Sequence, residues 1–150
     1  MSVSGAGDFN GDGVDDVLVG ANGALVNGVS VGVAYVIFGN RTVQGTPYTD
    51  IDLATRVTSR ATGFRIQGVK LNDLTGFSVS NAGDVNGDGV ADILVGVYRG
   101  DPLLRSTAGT TYVIFGRKVT LDANVFTDVQ LSTIVTGSTA GFRIIGALAG

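Results

Sequence analysis

The stretch Gly-Asp-Phe-Asn-Gly-Asp-Gly-Val-Asp-Asp, residues 7–16, places side-chain oxygens at alternate positions. Counted from Asp8, the donors fall at positions 1, 3, 5 and 9, on Asp8, Asn10, Asp12 and Asp16. Position 7 is Val14, whose main-chain carbonyl can serve as a further donor. Residues 84–92 repeat the pattern with Asp84, Asn86, Asp88, the Val90 carbonyl and Asp92. Alternating oxygen donors on a tightly coiled loop suit a hard cation that takes about six to eight oxygens. Gly13 and Gly89, at position 6 of each loop, allow the positive φ that bends the chain around an ion. Without a cation, three carboxylates in so short a loop repel one another.

An EF-hand or dockerin-type loop would place a bidentate carboxylate at position 12 and continue as a helix. Here position 12 is Val19 or Val95 and the chain runs on as an apolar β segment, so the last ligand comes at position 9. Ca²⁺ is favoured over Mg²⁺, which holds its waters and demands octahedral geometry. A simple Asx-turn hairpin could explain one such loop, because Asn-Gly and Asp-Gly are ordinary turn dipeptides. Two loops with the same nine-position spacing favour the cation: two Ca²⁺ sites, one per repeat.

Composition removes several other chemistries. The 150 residues contain no Cys, no His and no Trp, and all 13 acidic residues are Asp. Disulfides, thiolate metal sites and the usual general base are therefore absent. Two Lys, 24 Gly and many Val, Ile and Thr make the chain poor in helix formers and rich in strand formers. A net charge of −3 without any basic run argues against nucleic acid as a partner. No apolar stretch reaches membrane-spanning length, which argues against membrane insertion, and the first residues do not read as a signal peptide.

The repetition extends beyond the loops. Residues 7–20 and 83–96 are identical at eleven of fourteen positions, Ala-Tyr-Val-Ile-Phe-Gly (34–39) returns as Thr-Tyr-Val-Ile-Phe-Gly (111–116), and residues 49–68 return at 127–146. The offset grows from 76 to 77 to 78, as single-residue insertions in connecting loops would produce. Each unit reads as four short strands, clearest in the second copy at 77–83, 92–97, 110–116 and 141–146. A short helical turn is possible at 52–61. The units divide at about 1–69 and 70–150, with a linker near 69–76. Four antiparallel strands at a fixed period fit a β-propeller blade, with a sandwich as the alternative.

The order Gly-Phe-Ser-Val-Ser-Asn-Ala-Gly-Asp-Val-Asn-Gly-Asp-Gly-Val-Ala-Asp-Ile-Leu-Val-Gly-Val, followed by Gly-Thr-Thr-Tyr-Val-Ile-Phe-Gly, resembles the FG-GAP repeat of integrin α-subunit propellers and many bacterial surface proteins. Gly76-Phe77 matches its first element, and Gly20-Ala21-Asn22 and Gly96-Val97-Tyr98 match the Gly-Ala-Pro element loosely. The resemblance implies an all-β fold of two four-stranded antiparallel blades, with the first strand innermost and a calcium loop joining strands one and two. It also implies that the ten loop residues named above are the calcium ligands, and an extracellular or cell-surface setting. Two departures stand out: family propellers have about seven blades and this chain has two, and Met1 stands where the second copy has Phe77.

Two blades alone would leave apolar faces in water. The chain starts at the first strand of one unit and ends at Gly150, the counterpart of Asn72, so whole units are kept. Closure is expected from a longer parent chain or from self-association, three copies giving six blades or four giving eight. Catalysis is not expected, because the carboxylates belong to the loops and no nucleophile–base set exists without His. Asp50 and Asp128 recur ahead of a turn and read as capping or turn residues. The functional expectation is an adhesion or protein-binding module. The alternatives are a glycan-binding propeller using Tyr35, Tyr48, Tyr98 or Tyr112, and a purely architectural repeat. Arg99-Gly100-Asp101 matches an integrin-recognition tripeptide, but the first copy has Gly-Ala-Leu at 23–25 and the match reads as coincidence.

Overall fold

The computed structural model describes residues 1–42, 47, 49–54, 62–105, 107–119 and 126–147. Among these residues the chain forms strands and two single 3₁₀ turns, with no α-helix. The first unit contributes β1 (Ser2–Gly7), β2 (Asp16–Ala21), the small ribbon β3 (Leu25–Val26) and β4 (Val29–Ser30), then β5 (Val33–Ile37) and β6 (Gly63–Gln67). The second contributes β7 (Thr75–Gly83), β8 (Asp92–Val97), β9 (Thr110–Ile114), β10 (Val129–Gln130) and β11 (Gly141–Ile145).

Each unit folds into an antiparallel meander, β1-β2-β5-β6 in one sheet and β7-β8-β9-β11 in the other. The repeat extends to register. Val19 faces Tyr35 and Tyr35 faces Arg65; Val95 faces Tyr112 and Tyr112 faces Arg143. The helical turn considered at 52–61 lies mostly outside the described residues, whereas its counterpart, Leu131–Thr133, is a 3₁₀ turn.

Strand alternation decides what each sheet buries. In β5, Ala34 and Val36 join Leu18, Phe64, Ile66 and Phe9 in the main core. The second sheet meets them with Ile93, Val95, Val97 and Ile114, supplemented by Phe126, Leu131 and Ile134. Of the other residues of β5, Val33 and Tyr35 form a smaller cluster with Val19 on the opposite side of the first sheet, with Ile37 packed against it. One face of the first sheet therefore packs on one face of the second. Phe9, Phe38, Phe64 and Phe126 pack ring on ring at this junction, with centroids 5.2–6.1 Å apart.

The second unit also reaches over the outer edge of the first sheet. β10 pairs in parallel with β6, Val129 opposite Ile66 and Gln130 opposite Gln67. Asp128 accepts hydrogen bonds from the Arg65 backbone N–H (2.9 Å), from Arg65 Nε (2.8 Å) and Nη2, and from Gln67 Nε2 (3.1 Å). The capping or turn role expected for Asp128 is thus replaced by a charge-assisted clamp between units, Oδ2 taking both guanidinium N–H groups and Oδ1 the backbone N–H. A contact with a residue 63 positions away in a different unit leaves no local sequence signature. Its counterpart Asp50 is exposed.

Close backbone approach explains several glycines. A Cβ on Gly20 would overlap the Gly76 carbonyl oxygen and Ser2 Oγ, whereas a Cβ on Gly5 would meet nothing within 4 Å. Gly20→Ala should therefore destabilise the chain by about 1–3 kcal/mol through overpacking. Gly5→Ala should change stability by no more than about 0.5 kcal/mol. Urea unfolding followed by circular dichroism checks both values.

Candidate metal centre

The two carboxylate loops join the first and second strand of each sheet, residues 8–15 between β1 and β2 and residues 84–91 between β7 and β8. Gly11 and Gly13 have φ of 70° and 82°, and Gly87 and Gly89 have 77° and 83°. Both loops are thus wound by the same backbone turns, in left-handed conformations that glycine adopts without steric cost.

The two loops also share most of their internal hydrogen bonds. Asp12 N–H is shared by Asp8 Oδ1 and Asn10 Oδ1, each at 2.9 Å. Gly13 N–H donates to Asp8 Oδ2 at 2.9 Å and Val14 N–H to Asp12 Oδ1 at 2.8 Å. In the second loop Asp88 N–H donates to Asp84 Oδ1 (3.1 Å) and Asn86 Oδ1 (3.0 Å), Gly89 N–H to Asp84 Oδ2 (2.8 Å) and Val90 N–H to Asp88 Oδ1 (2.9 Å). Asp8, Asn10 and Asp12, and likewise Asp84, Asn86 and Asp88, are therefore gathered inside their coils. Apart from Asp84 Oδ1, which also accepts from Gly87 N–H (2.7 Å), each of these acceptor oxygens retains a further lone pair.

The third carboxylate arrives from the start of the second strand and is buried, Asp16 in β2 and Asp92 in β8. Asp16 Oδ2 accepts from Phe9 N–H (3.0 Å) and Asn10 N–H (3.3 Å), and Oδ1 accepts from Gly39 N–H (2.9 Å). Asp92 accepts from Val85 N–H (2.8 Å) and Gly116 N–H (2.9 Å). Burial pushes the Asp16 carboxyl up to about 6, against the pull of its backbone donors and with help from the Asp12 charge. A buried carboxylate beside a second carboxylate is the setting in which a cation gains most.

The donor set fits a hard cation in type: carboxylates, an amide oxygen and the main-chain carbonyls of Val14 and Val90. Among the described residues no three carboxylates form a side-chain metal group by themselves. A cation here would also draw on Asn10 or Asn86 and on the carbonyls.

Gly39 and Gly116 belong to the candidate site, and motif reading passes over them. They end the third-strand segments and donate to the buried carboxylates. A Cβ on either would overlap a backbone carbonyl of the neighbouring loop, Asp15 or Ala91. The available signal was the Phe-Gly pair that closes this strand in both copies.

The loops differ in their surroundings. The first packs against the second unit: Arg117 N–H donates to the Phe9 carbonyl (3.1 Å), Val119 N–H to the Asn10 carbonyl (2.7 Å) and Ala91 N–H to the Asp8 carbonyl (3.3 Å). Asn10 is buried there, while Asn86 is exposed. Elsewhere, Asp101 of the Arg99-Gly100-Asp101 tripeptide accepts from Thr107 N–H at 2.7 Å and Gly100 is buried, so this segment braces its own loop. Of the tyrosines, Tyr35 is buried and Tyr112 half-buried, Tyr98 is exposed and stacked on Phe77 (4.7 Å), and Tyr48 lies outside the described residues.

Comparison with known proteins matches the FG-GAP repeat model to residues 1–37 and 75–114. These two matches span the first three strands of each unit and both carboxylate loops. The chain is also 36% identical over 112 residues to a phosphatidylinositol-glycan-specific phospholipase D from Bos taurus. The aligned part is 74% of this chain and 12% of the bovine protein, so the chain spans a small fraction of that relative.

Two aspartates of the first loop separate structural from cation-dependent roles. With a chelator present, Asp16→Ala should cost about 1–3 kcal/mol, because buried N–H donors lose their acceptor. Asp12→Ala, at an exposed position, should stay within about 0.5 kcal/mol under those conditions. Chemical denaturation in chelator measures both.

Proposed function

Because the chain belongs to the FG-GAP repeat family, we propose that it is a calcium-stabilised segment of a β-propeller that serves binding at the cell surface or outside the cell. Its two sheets are adjacent blades, with the first strands β1 and β7 toward the propeller axis. The observation that carries this reading is the duplicated loop, with the same donors and glycine turns and a shared set of internal hydrogen bonds in each unit. Asp8, Asn10, Asp12, Asp16 and the Val14 carbonyl would hold one Ca²⁺. Asp84, Asn86, Asp88, Asp92 and the Val90 carbonyl would hold the other. The ion supplies positive charge to each coil and ties the first strand, the loop and the second strand together; it takes part in no reaction.

The module is non-catalytic in this reading. The bovine relative is named for a phospholipase activity, and the match to a small fraction of that protein gives no ground for carrying the activity over. Among the described residues no helix is long and apolar enough to cross a membrane. A protein-binding surface is favoured over a glycan site, because Tyr35 is buried and exposed Tyr98 is already stacked on Phe77.

Calcium at a hundredfold excess over its dissociation constant should add about 2.7 kcal/mol for each filled site. Thermal unfolding should therefore shift upward with calcium and fall back with chelator. Asp12→Ala and Asp88→Ala should each remove part of that shift. An unchanged midpoint on chelation would contradict the proposal.

A further inference from the structure

The two units are related by a repeat, and they pack through different faces. Residues that the first sheet buries against the second have counterparts on the second sheet that lie open. Ile66 is 0% exposed and its counterpart Ile144 is 54%; Phe64 is 2% and Phe142 is 39%; Phe9 is 1% and its counterpart Val85 is 49%. The same open side carries the stacked Phe77–Tyr98 pair and a cleft of about 350 Å³ bordered by Ile144. On the far side of the first sheet, Val17 is 47% exposed while its counterpart Ile93 is 0%; Val19, Val33 and Tyr35 on that side are covered within the chain by Ala24, Val26 and Leu53. The open side of the second sheet thus presents the half of the contact that the first sheet buries, and the far side of the first sheet presents part of the other half.

The outer edge shows the same asymmetry in polar groups. β6 is covered by β10, whereas β11 is the last strand of its sheet. An uncovered edge strand offers its N–H and C=O groups to another chain. Arg143 of β11, the counterpart of clamped Arg65, lies beside its cross-strand neighbour Tyr112. Thr49-Asp50-Ile51, the counterpart of Thr127-Asp128-Val129, is exposed and belongs to no strand.

We infer that a second copy of this chain docks its first sheet on the open face of the second sheet, repeating the contact between units. In the docked pair Asp50 of the incoming copy clamps Arg143. Residues 50–51 extend the edge of β11 as Asp128 and Val129 extend β6, which sets Ile51 opposite Ile144. Phe142, Ile144 and Val85 pass out of water as Phe64, Ile66 and Phe9 do within the chain. The incoming copy's Asp15 N–H takes the Asp84 carbonyl, as Ala91 N–H takes that of Asp8. One departure is visible: Gln130 bonds Gln67 side chain to side chain, and their counterparts are Asp52 and Ile145. That bond is not repeated. The contact is heterologous, so it adds copies until a ring closes or a filament grows. It rests on sheet packing and the clamp, independently of any cation.

Sedimentation velocity of the 150-residue chain, with and without calcium, tests the docking. Wild type should sediment as multiples of 15.2 kDa, in proportions that rise with concentration. Asp50→Arg and Arg143→Asp should each weaken self-association by at least about tenfold, because like charges then meet at the edge. An equimolar mixture of the two variants should restore it, since each supplies the partner the other lacks. Circular dichroism establishes that both variants are folded. Should either variant misfold, Ile144→Asp on the open face serves in its place and must also yield monomers. A wild-type chain that stays monomeric to high micromolar concentration would overturn the inference. Association unaffected by all of these substitutions would do the same.

Discussion

The buried carboxylate at the start of each second strand is the constraint on which the rest of the structure depends. Asp16 and Asp92 sit where the loop, the second strand and the end of the third strand converge, and their oxygens accept backbone N–H groups from the loop and the third-strand end. An ionised carboxylate in such a position would be costly without those donors. Its demand for donors explains the tight coil ahead of the strand and the glycine that closes strand three. Packing follows from this: with the loop fixed, Phe9 is set among Phe64 and Phe126 at the junction of the sheets.

The junction itself shows how a repeat builds a core that neither copy could build alone. A four-stranded meander has two apolar faces, and one chain can bury only one face of each of its two sheets against the other. The chosen pair is set by the face of β5 carrying Ala34 and Val36 and by the face of the second sheet carrying Ile93, Val95 and Ile114. The Asp128–Arg65 clamp then fixes the registration at the outer edge. As a partly exposed ion pair it contributes orientation more than stability, and its backbone bond to Arg65 N–H extends the sheet.

Much of this was legible from residues. Strand-forming runs between glycines located β7, β8, β9 and β11 to within a few residues, because local alternation and turn chemistry decide such short strands. The duplicated spacing identified the loops, and the structure places them between first and second strands. What was not legible depends on distance along the chain. Asp128 looked like a turn residue because its partner Arg65 is 63 positions away. Gly39 and Gly116 looked like strand stops because nothing in their neighbourhood shows that they serve a carboxylate. Nor does Gly76-Phe77, the match to the family's first element, show that Phe77 is 49% exposed and stacks on Tyr98, on the face that has no partner within the chain.

The account stands on the loops acting as paired cation sites. Equilibrium dialysis against calcium, with the bound metal counted per chain, tests this most directly. The account predicts two calcium ions per wild-type chain and one in Asp88→Ala, with the first loop still filled. A wild-type chain that retains no calcium at millimolar concentrations of the ion would contradict it.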